Sequence, residues 1–306
     1  MNLIRIGTRG SKLALWQANF VAEKLLKGGW NTQLVTIDTR GDQVLDVSIA
    51  KIGDKGVFTE ELEEQLFNGK IDIAVHSAKD LQSRLADDFK VLAFTRREEP
   101  FDVLLSNNKQ LDLTQKITVG TSSTRRTALL KRHYPQVTAV QVRGNLQTRI
   151  RKMEEGHCDA LLLAWAGVHR MGYADKVVQK IPLDVFIPPV GQGTIAIECS
   201  KNLDNKIAGA VRELVNDEET ELCLRAERAY LARLEGGCSI PSFCHAQTEE
   251  GRIIISGGIV SLNGEQMVRI TLEGDAGHPE TLGNKLADQI LDDGGAEILE
   301  EIRKEL

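Results

Sequence analysis

The sequence predicts an α/β protein that carries a small α+β domain at its C-terminal end. Short apolar stretches alternate with helical patterns over roughly the first two hundred residues, which is typical of βαβ units and a largely parallel sheet. Two turn-rich stretches, residues 96–100 and 188–193, interrupt this alternation. Three alternating segments near the C-terminus, separated by Glu-Glu-Gly and Asn-Gly-Glu, are typical of an antiparallel meander.

These interruptions predict three domains. The first comprises residues 1–96 and 194–215, the second residues 97–193 and the third residues 216–306. At 306 residues the chain has room for two or three domains of about 100–200 residues each.

Composition narrows the functional classes. With 42% hydrophobic and 27% charged residues and a formal net charge of −6, the chain is an ordinary globular protein rather than a bulk electrostatic binder of nucleic acid. The N-terminus has no apolar signal-peptide core, and the longest apolar run, residues 160–168, is shorter than the ~20 residues of a membrane span. Five cysteines without framework spacing predict reduced thiols in the cytoplasm and no zinc site.

The first predicted domain places polar turns after its strands. Residues 3–7 form a predicted strand, and Ser11 can cap a helix over residues 12–26, with Arg9 in the turn between them. A second predicted strand, residues 32–37, leads into a long glycine-bearing loop that contains Lys55. The apolar strand predicted for residues 71–75 runs into His76-Ser77-Ala78-Lys79-Asp80, at the carboxyl end where open α/β sheets bind ligands.

The second predicted domain is rich in basic residues. No acidic residue occurs between Asp112 and Glu154, whereas lysine and arginine number nine in that interval. Several of them follow predicted strands, so they should converge on one cleft, where arginine forks suit carboxylate or phosphate groups. A solvated helix face explains four of them equally well: Lys131, Arg132, Arg151 and Lys152. It explains Arg125, Arg126 and Arg143 less well, because these lie in predicted βα turns.

A cysteine follows two glycines at the end of a long helical pattern, residues 217–234. The glycines allow a tight turn and leave no side chain to shield the Cys238 sulfur, so an accessible thiol is one interpretation. A small apolar residue in a tight turn is the other. Cys244 lies six residues further on and is a possible rival thiol.

Seven motifs occur in order along essentially the whole chain, and together they resemble the porphobilinogen deaminase (hydroxymethylbilane synthase) family. Each motif alone is weak, but the full set in register is highly specific. They are Gly7-Thr8-Arg9-Gly10-Ser11-Lys12-Leu13-Ala14, Lys51-Ile52-Gly53-Asp54-Lys55-Gly56, His76-Ser77-Ala78-Lys79-Asp80, Gly120-Thr121-Ser122-Ser123-Thr124-Arg125-Arg126, Arg143-Gly144-Asn145, Val190-Gly191-Gln192-Gly193 and Leu234-Glu235-Gly236-Gly237-Cys238.

The resemblance implies an enzyme of tetrapyrrole (heme) biosynthesis, whose first two domains are similar to type II periplasmic binding proteins. Such an enzyme joins four porphobilinogen molecules head to tail, losing ammonia each time, on a dipyrromethane cofactor that Cys238 would carry through a thioether. Hydrolysis then releases the linear tetrapyrrole hydroxymethylbilane. A cytoplasmic monomer that passes its product to uroporphyrinogen III synthase is implied, with no metal, membrane or nucleic acid involved.

The resemblance also implies roles for particular residues. Asp80 matches the family's catalytic aspartate, which stabilises the azafulvene cation left by deamination, although a helix or turn cap is an equal alternative from the sequence alone. The implied cofactor-binding residues are Cys238, Lys79, Asp80, Ser123, Arg125, Arg126, Arg143 and Gly144. The implied substrate-binding residues are Arg9, Ser11, Lys55, Arg149 and Arg170.

The sequence departs from the family's pattern at two positions, and two other functional classes are alternatives. Gln82 stands where the family usually has proline, and Asp54 stands where glycine is common. A non-catalytic anion-binding protein of the periplasmic type is the first alternative, against which stand the missing export signal and the domain around Cys238. A nucleic-acid binder is the second, but aromatic residues are scarce among the basic ones.

Overall fold

The computed structural model describes residues 3–39, 59–237 and 239–305, and these residues form three sheets with helices packed on them. The strands are β1 (Leu3–Arg9), β2 (Asn31–Ile37), β3 (Ile73–Ser77), β4 (Phe89–Phe94), β5 (Asp102–Leu105), β6 (Thr118–Thr121), β7 (Thr138–Gln141), β8 (Ala160–Ala164), β9 (Val177–Lys180), β10 (Ile195–Ser200), β11 (Ser242–Glu249), β12 (Arg252–Val260) and β13 (Met267–Asp275). The α-helices are α1 (Lys12–Lys27), α2 (Glu60–Phe67), α3 (Thr124–His133), α4 (Leu146–Glu154), α5 (Trp165–Arg170), α6 (Asn205–Val215), α7 (Glu218–Arg233), α8 (Pro279–Ile290) and α9 (Ala296–Glu305).

Two of the sheets share one strand order. The first runs β2-β1-β3-β10-β4 and the second β7-β6-β8-β5-β9. In each, three neighbouring strands are parallel, and the fourth strand, β10 or β5, runs antiparallel to both of its neighbours. The predicted class of two α/β units plus a small α+β unit is confirmed, whereas the domain boundaries stay a prediction.

The prediction of largely parallel sheets is confirmed for the first two sheets, although each of these two contains one antiparallel strand. The chain crosses between the two sheets twice. The first crossing, residues 95–101, leads into β5, and the second crossing, residues 181–194, leads into β10. A strand that enters a sheet from a neighbouring unit is not restricted by a right-handed βαβ crossover, so it can run in the opposite direction.

Two strands and two α-helices were not predicted from the sequence. Strands β5 and β9 contain four residues each, and the helices are α5 and α6. A local signal for α6 exists, because the Asp204 carboxylate accepts hydrogen bonds from the Lys206 and Ile207 amides at 2.9 and 3.2 Å.

Helix α1 shows how the pattern builds the first layer. Ser11 caps it, its hydroxyl accepting from the Ala14 amide at 3.3 Å. Val21 and Leu25 on its inner face are fully buried against Ile4 and Ile6 of β1. Among the described residues no helix is both long and apolar enough to cross a bilayer.

The C-terminal unit is the predicted meander. Strands β11, β12 and β13 pair antiparallel in sequence order, and helices α7 and α8 pack on them. Tyr230 of α7 is fully buried and donates its hydroxyl hydrogen to the Gly258 carbonyl at 2.8 Å. This bond fixes α7, the helix that ends just before Cys238, on the third sheet.

A buried carboxylate joins the three units. Glu227 of α7 is fully buried and accepts hydrogen bonds from the Gly191 amide at 2.9 Å and the Ala246 amide at 2.7 Å. It also pairs with the Arg97 guanidinium at 2.8 Å. Arg97 and Gly191 belong to the two crossings between the first two sheets, and Ala246 belongs to β11, so one side chain fixes both crossings to the third sheet.

We therefore expect Glu227→Gln to destabilise the protein strongly. The change keeps the size of the side chain but leaves Arg97 without its buried counter-charge, and breaking one partner of a buried pair costs about 3 kcal/mol or more. Urea unfolding followed by circular dichroism measures the loss. The matched control is Glu280→Gln, which removes an exposed pair with Arg225 and should cost less than about 1 kcal/mol. Equal losses in the two variants would contradict this account of Glu227.

Candidate functional site

The predicted catalytic turn lies directly after β3. Ala78–Asp80 forms one turn of 3₁₀ helix, and the Ala78 amide donates to the Thr194 carbonyl at 2.9 Å. On the other side, the Ser77 hydroxyl and the Gln17 side-chain amide of α1 are 2.9 Å apart. The turn that presents Lys79 and Asp80 is thus held between α1 and the strand that returns from the second unit.

Asp80 lines a small cavity with residues from the first βα turn. Arg9, Ser11 and Gln17 form other parts of its wall, and its volume is about 70 Å³. A single water molecule needs about 10–15 Å³ of such cavity volume, so this space accepts a group of carboxylate size. Because the N-terminus of α1 carries a partial positive charge, the cavity is suited to an anion.

Arg125 and Arg126 bind a carboxylate of the chain itself. Asp102, fully buried at the start of β5, lies 2.6 Å from Arg125 Nη2 and 2.7 Å from Arg126 Nη2. Burial alone would raise the pKa of Asp102, but the charges and hydrogen bonds of the two arginines lower it well below its usual range. Their Nη1 groups donate to the carbonyls of Ile187 and Leu162. Only Nε of each buried guanidinium has no hydrogen-bond partner among the residues that the structure describes.

Lys79 and Arg149 approach Asp80 from the two different units. Burial and then the charge of Arg126 lower the pKa of Lys79 to about 8, while Asp80 and Asp102 oppose the shift. Burial and then Arg126 also lower the pKa of Arg149 to about 10, again opposed by Asp80. Since Asp80 and Arg126 influence both groups, these four charges form a single electrostatic site between the first two sheets.

The turn after β7 brings Gly144 and Arg143 to the same site. Gly144 has φ 116°, and a Cβ atom there would lie 2.7 Å from Thr148 Cγ2, so glycine is required. Arg149 Nε donates to the Gly144 carbonyl at 2.7 Å, and Lys152 Nζ donates to the Arg143 carbonyl at 3.2 Å. The charge of Arg143 also contributes to the lowered pKa of Arg149.

Arg170 and Ser123 have structural contacts of their own. Arg170 Nη2 donates to the Gly193 carbonyl at 2.7 Å, and its guanidinium lies 5.4 Å from the centre of the Trp16 ring. It therefore bridges α5, α1 and the second crossing. Ser123 caps α3, its hydroxyl accepting from the Arg126 amide at 3.4 Å.

Two predicted site residues, Lys55 and Cys238, lie outside the described residues. Helix α7 does end just before Cys238, as predicted, but the left-handed residue of the turn is Glu235, with φ 51°, rather than a glycine. Gln82, where the family usually has proline, donates its amide to the Thr59 hydroxyl at 3.1 Å, and its carbonyl accepts from Arg228.

Sequence reasoning missed Asp102 and the contacts of Gln192. Asp102 stands before the acid-free interval that suggested a cleft lined by arginines. Its signal is an acidic residue that opens a wholly apolar strand, Asp-Val-Leu-Leu. The exposed residues Lys131 and Arg132 of α3 were interpreted as a solvated face, but both also donate to the β12–β13 turn, at the carbonyls of Leu262, Gly264 and Glu265.

Comparison with known proteins decides the family. The family model described as "Porphobilinogen deaminase, dipyromethane cofactor binding domain" matches residues 4–208, and that of "Porphobilinogen deaminase, C-terminal domain" matches residues 221–292. The chain belongs to the porphobilinogen deaminase family. The porphobilinogen deaminases of Desulfosudis oleivorans and Cytophaga hutchinsonii are 53% and 54% identical to it, each alignment covering 99% of this chain and 98% of the relative.

A solved structure with partial similarity is the BvgS VFT2 domain of Bordetella pertussis. It is 16% identical, covers 71% of this chain and 90% of its own, and superposes with a TM-score of 0.43. A likeness at that level adds nothing to the family assignment, which rests on the sequence matches.

The site residues fit the dipyrromethane that the family model names. Porphobilinogen units bring acetate and propionate groups, so a dipyrromethane carries several carboxylates. Arg126, Arg143, Arg149 and Lys79 supply cationic donors around Asp80, and the buried Nε of Arg126 still has a hydrogen to donate. Donor chemistry and charge therefore match a polycarboxylate ligand.

Arg143→Leu should weaken the hold on this ligand while the fold persists, because a charge-assisted hydrogen bond is worth about 1.5–3 kcal/mol. That corresponds to roughly ten- to a hundredfold weaker binding. The readouts are the fraction of protein that carries the cofactor, from intact mass, and the rate of porphobilinogen turnover.

Arg151→Leu is the matched control for this change. Arg151 lies on α4 near Arg143 in sequence, but its side chain is 69% exposed and 3.7 Å from Glu155. We expect little effect from it. Similar behaviour of the two variants would show that Arg143 does not belong to the ligand site.

Proposed function

We propose that this protein joins four porphobilinogen molecules head to tail on a dipyrromethane primer attached to Cys238, and releases hydroxymethylbilane. The observation that carries the proposal is the position of Asp80 beside Lys79 and Arg149, on the wall of a cavity that Arg9 and Ser11 also line. A carboxylate among cations from two sheets suits a reaction in which anionic building blocks pass through a short-lived cation.

Dipyrromethane, when bound, supplies the pyrrole carbon to which the first substrate unit is joined. Lys79, Arg126, Arg143 and Arg149 would hold its carboxylates, with Arg125 fixing the position of Arg126 through their shared partner Asp102. Gly144 allows the positive φ of the turn that carries Arg143, and Ser123 caps the start of α3. These roles follow from charge and position.

The substrate would enter through the first βα turn. Arg9 and Ser11, at the N-terminus of α1, suit one of its carboxylates, and Arg170 lies across the α1 surface at Trp16. Lys55 completes the proposed set of substrate-binding residues. Anchoring carboxylates away from the reacting carbon lets binding energy position that carbon against Asp80.

Asp80 would act on the positive charge that develops as ammonia leaves. The carbon–nitrogen bond of the substrate's protonated aminomethyl group breaks, its electrons leave with the nitrogen as neutral ammonia, and the positive charge moves to the remaining pyrrole. The Asp80 carboxylate stabilises this charge and accepts the pyrrole N–H hydrogen bond. Because the charge exists only near the transition state, a fixed carboxylate lowers the barrier more than it stabilises the substrate.

The thiols that the structure describes support Cys238 as the attachment site. Cys158, Cys199, Cys223 and Cys244 are all buried. Burial raises the pKa of Cys223 to about 12 and that of Cys244 well above its usual value, and the thiolate is the reactive form. Cys244, the possible rival, is fully enclosed in β11 and unsuited to carry a cofactor.

The same proposal includes the setting of the enzyme. We propose three domains with the boundaries given above, each built on one of the three sheets, in a cytoplasmic monomer. Its product would pass to uroporphyrinogen III synthase.

Intact mass spectrometry tests the attachment site. Freshly purified protein should exceed its sequence mass by two linked pyrrole units, and Cys238→Ala should lack that addition. Cys244→Ala is the control and should keep it. An active preparation whose mass equals the sequence mass would contradict the proposal. Loss of the added mass in Cys244→Ala would instead indicate Cys244 as the attachment site.

Steady-state consumption of porphobilinogen tests Asp80. Asp80→Asn keeps the size of the side chain but removes its charge, so kcat of the cofactor-loaded variant should fall by about 10²-fold or more. Asp80→Glu should retain part of the activity, because the charge remains but is displaced. Thermal stability should change little in either variant.

Asp87→Asn is the control for Asp80→Asn, because Asp87 is an exposed carboxylate on the same loop. It should leave kcat unchanged. Near-normal turnover by the loaded Asp80→Asn variant would mean that Asp80 only stabilises its turn and that the catalytic carboxylate lies elsewhere.

A further inference from the structure

Gln192 lies between Lys79 and the buried carboxylate of Asp102. Its side chain is buried on the second crossing, with only 1% of the residue exposed. Its Nε2 donates to the Pro100 carbonyl at 2.6 Å and to Asp102 Oδ1 at 2.9 Å, and its Oε1 accepts from Lys79 Nζ at 3.4 Å. One amide group thus contacts both crossings, the second sheet and the catalytic turn.

The partners of this amide determine its orientation. The Pro100 carbonyl can only accept a hydrogen bond, and so can the Asp102 carboxylate, which is paired with two arginines. The two hydrogens on Nε2 are therefore both used, and Oε1 must face Lys79. Rotating the amide by 180° would set oxygen against two acceptors and an N–H group against an ammonium, so the alternative is excluded by charge.

The backbone around Gln192 is fixed against the Lys79 turn. Gly191 has φ 75°, and a Cβ atom there would lie 2.9 Å from the Ala78 carbonyl carbon and 3.0 Å from the Lys79 nitrogen. The Gly191 amide is bound to Glu227, and the Gln192 amide donates to the Pro189 carbonyl at 3.2 Å. The distance between the Gln192 side chain and Lys79 is therefore set by packing on both sides.

Two positive and two negative side chains influence the charge of Lys79. Arg126 and Arg125 disfavour a third positive charge, whereas Asp80 and Asp102 favour it. Burial, the largest cause, and the charges of the two arginines together lower the pKa of Lys79 to about 8. Gln192 Oε1 bonds the charged ammonium form, and such a bond opposes the loss of its proton. The oxygen is further polarised because one N–H of the same amide group donates to the Asp102 carboxylate.

We propose that Gln192 is a positioning residue that keeps Lys79 protonated and directed to its place beside Asp80, by transmitting the charge of Asp102 through its amide group. The inference rests on the proposed role of Lys79 in binding a carboxylate of the cofactor. It gives the Val-Gly-Gln-Gly segment a function besides linking the two units, since a protonated Lys79 binds carboxylate and a neutral one does not.

Competitive acetic anhydride labelling of Lys79 across a pH series tests this proposal directly. The full-length, cofactor-loaded protein is labelled, and the Lys79 peptide is quantified by mass spectrometry. Gln192→Met is similar in length but has no oxygen to accept from Lys79, so the midpoint of labelling should move to lower pH by about one unit, the scale of one hydrogen bond to a charged group. The alkaline limb of kcat should move in the same direction.

Gln136→Met is the control, because it removes one glutamine hydrogen bond, to the Leu113 carbonyl, in the second unit. Its labelling midpoint for Lys79 should equal that of the unaltered protein. If Gln192→Met does not fold, Gln192→Asn keeps amide donors near Asp102 but withdraws the oxygen from Lys79 by one methylene, and should shift the midpoint in the same direction.

An unchanged midpoint in a folded Gln192 variant overturns the proposal. The labelling measures protonation of Lys79 and not turnover, so its result stands apart from the proposed reaction. A shifted midpoint with an unshifted kcat profile would support the effect of Gln192 on Lys79 and count against the role of Lys79 in carboxylate binding. An unshifted midpoint in a variant that still carries the cofactor mass would count against the effect of Gln192 on Lys79 and leave the proposed reaction untouched.

Discussion

The candidate site depends on one buried carboxylate, Asp102. Two arginines and the Gln192 amide donate to its two oxygens, so its charge is compensated on every side that the structure describes. Without it, Arg125 and Arg126 would be two adjacent buried cations whose repulsion and desolvation nothing offsets. With it, Arg126 is held at the proposed ligand site with its direction fixed. The acid is thus the reason that a cluster of positive charge can exist at the junction of the two α/β units.

A second buried acid, Glu227, has a comparable role in the overall architecture. It ties both crossings to the third sheet, whereas Asp102 and Gln192 tie the same crossings to the proposed catalytic turn. The two networks meet at neighbouring residues, Gly191 and Gln192. One continuous set of contacts therefore joins Lys79, the two crossings and α7. Helix α7 carries Glu227 and leads to Cys238.

Much of the fold could be predicted from the sequence, because its signals are local. The caps at Ser11 and Ser123, the alternation of β11 to β13 and the strand–turn–helix order of both α/β units are present in short windows. Strands β6 and β7 are as short as β5 and β9, but each is followed by a polar turn and a helix. The four-residue strands β5 and β9 lack that local signal, and their pairing partners come from distant parts of the chain. The antiparallel direction of β5 and β10 likewise follows from where the chain crosses between units.

The sequence by itself determined the candidate charges of the site, apart from Asp102. The family resemblance implied Lys79, Asp80, Arg126, Arg143 and Arg149, and composition showed a surplus of cations in the predicted second domain. Only the tertiary structure decided how that surplus is used. Asp102 lies 23 and 24 residues before the two arginines it binds, and Gln192 lies 113 residues after Lys79, so no local pattern joins them. A buried charge needs a partner within hydrogen-bond distance, and the chain finds those partners only when distant segments pack together.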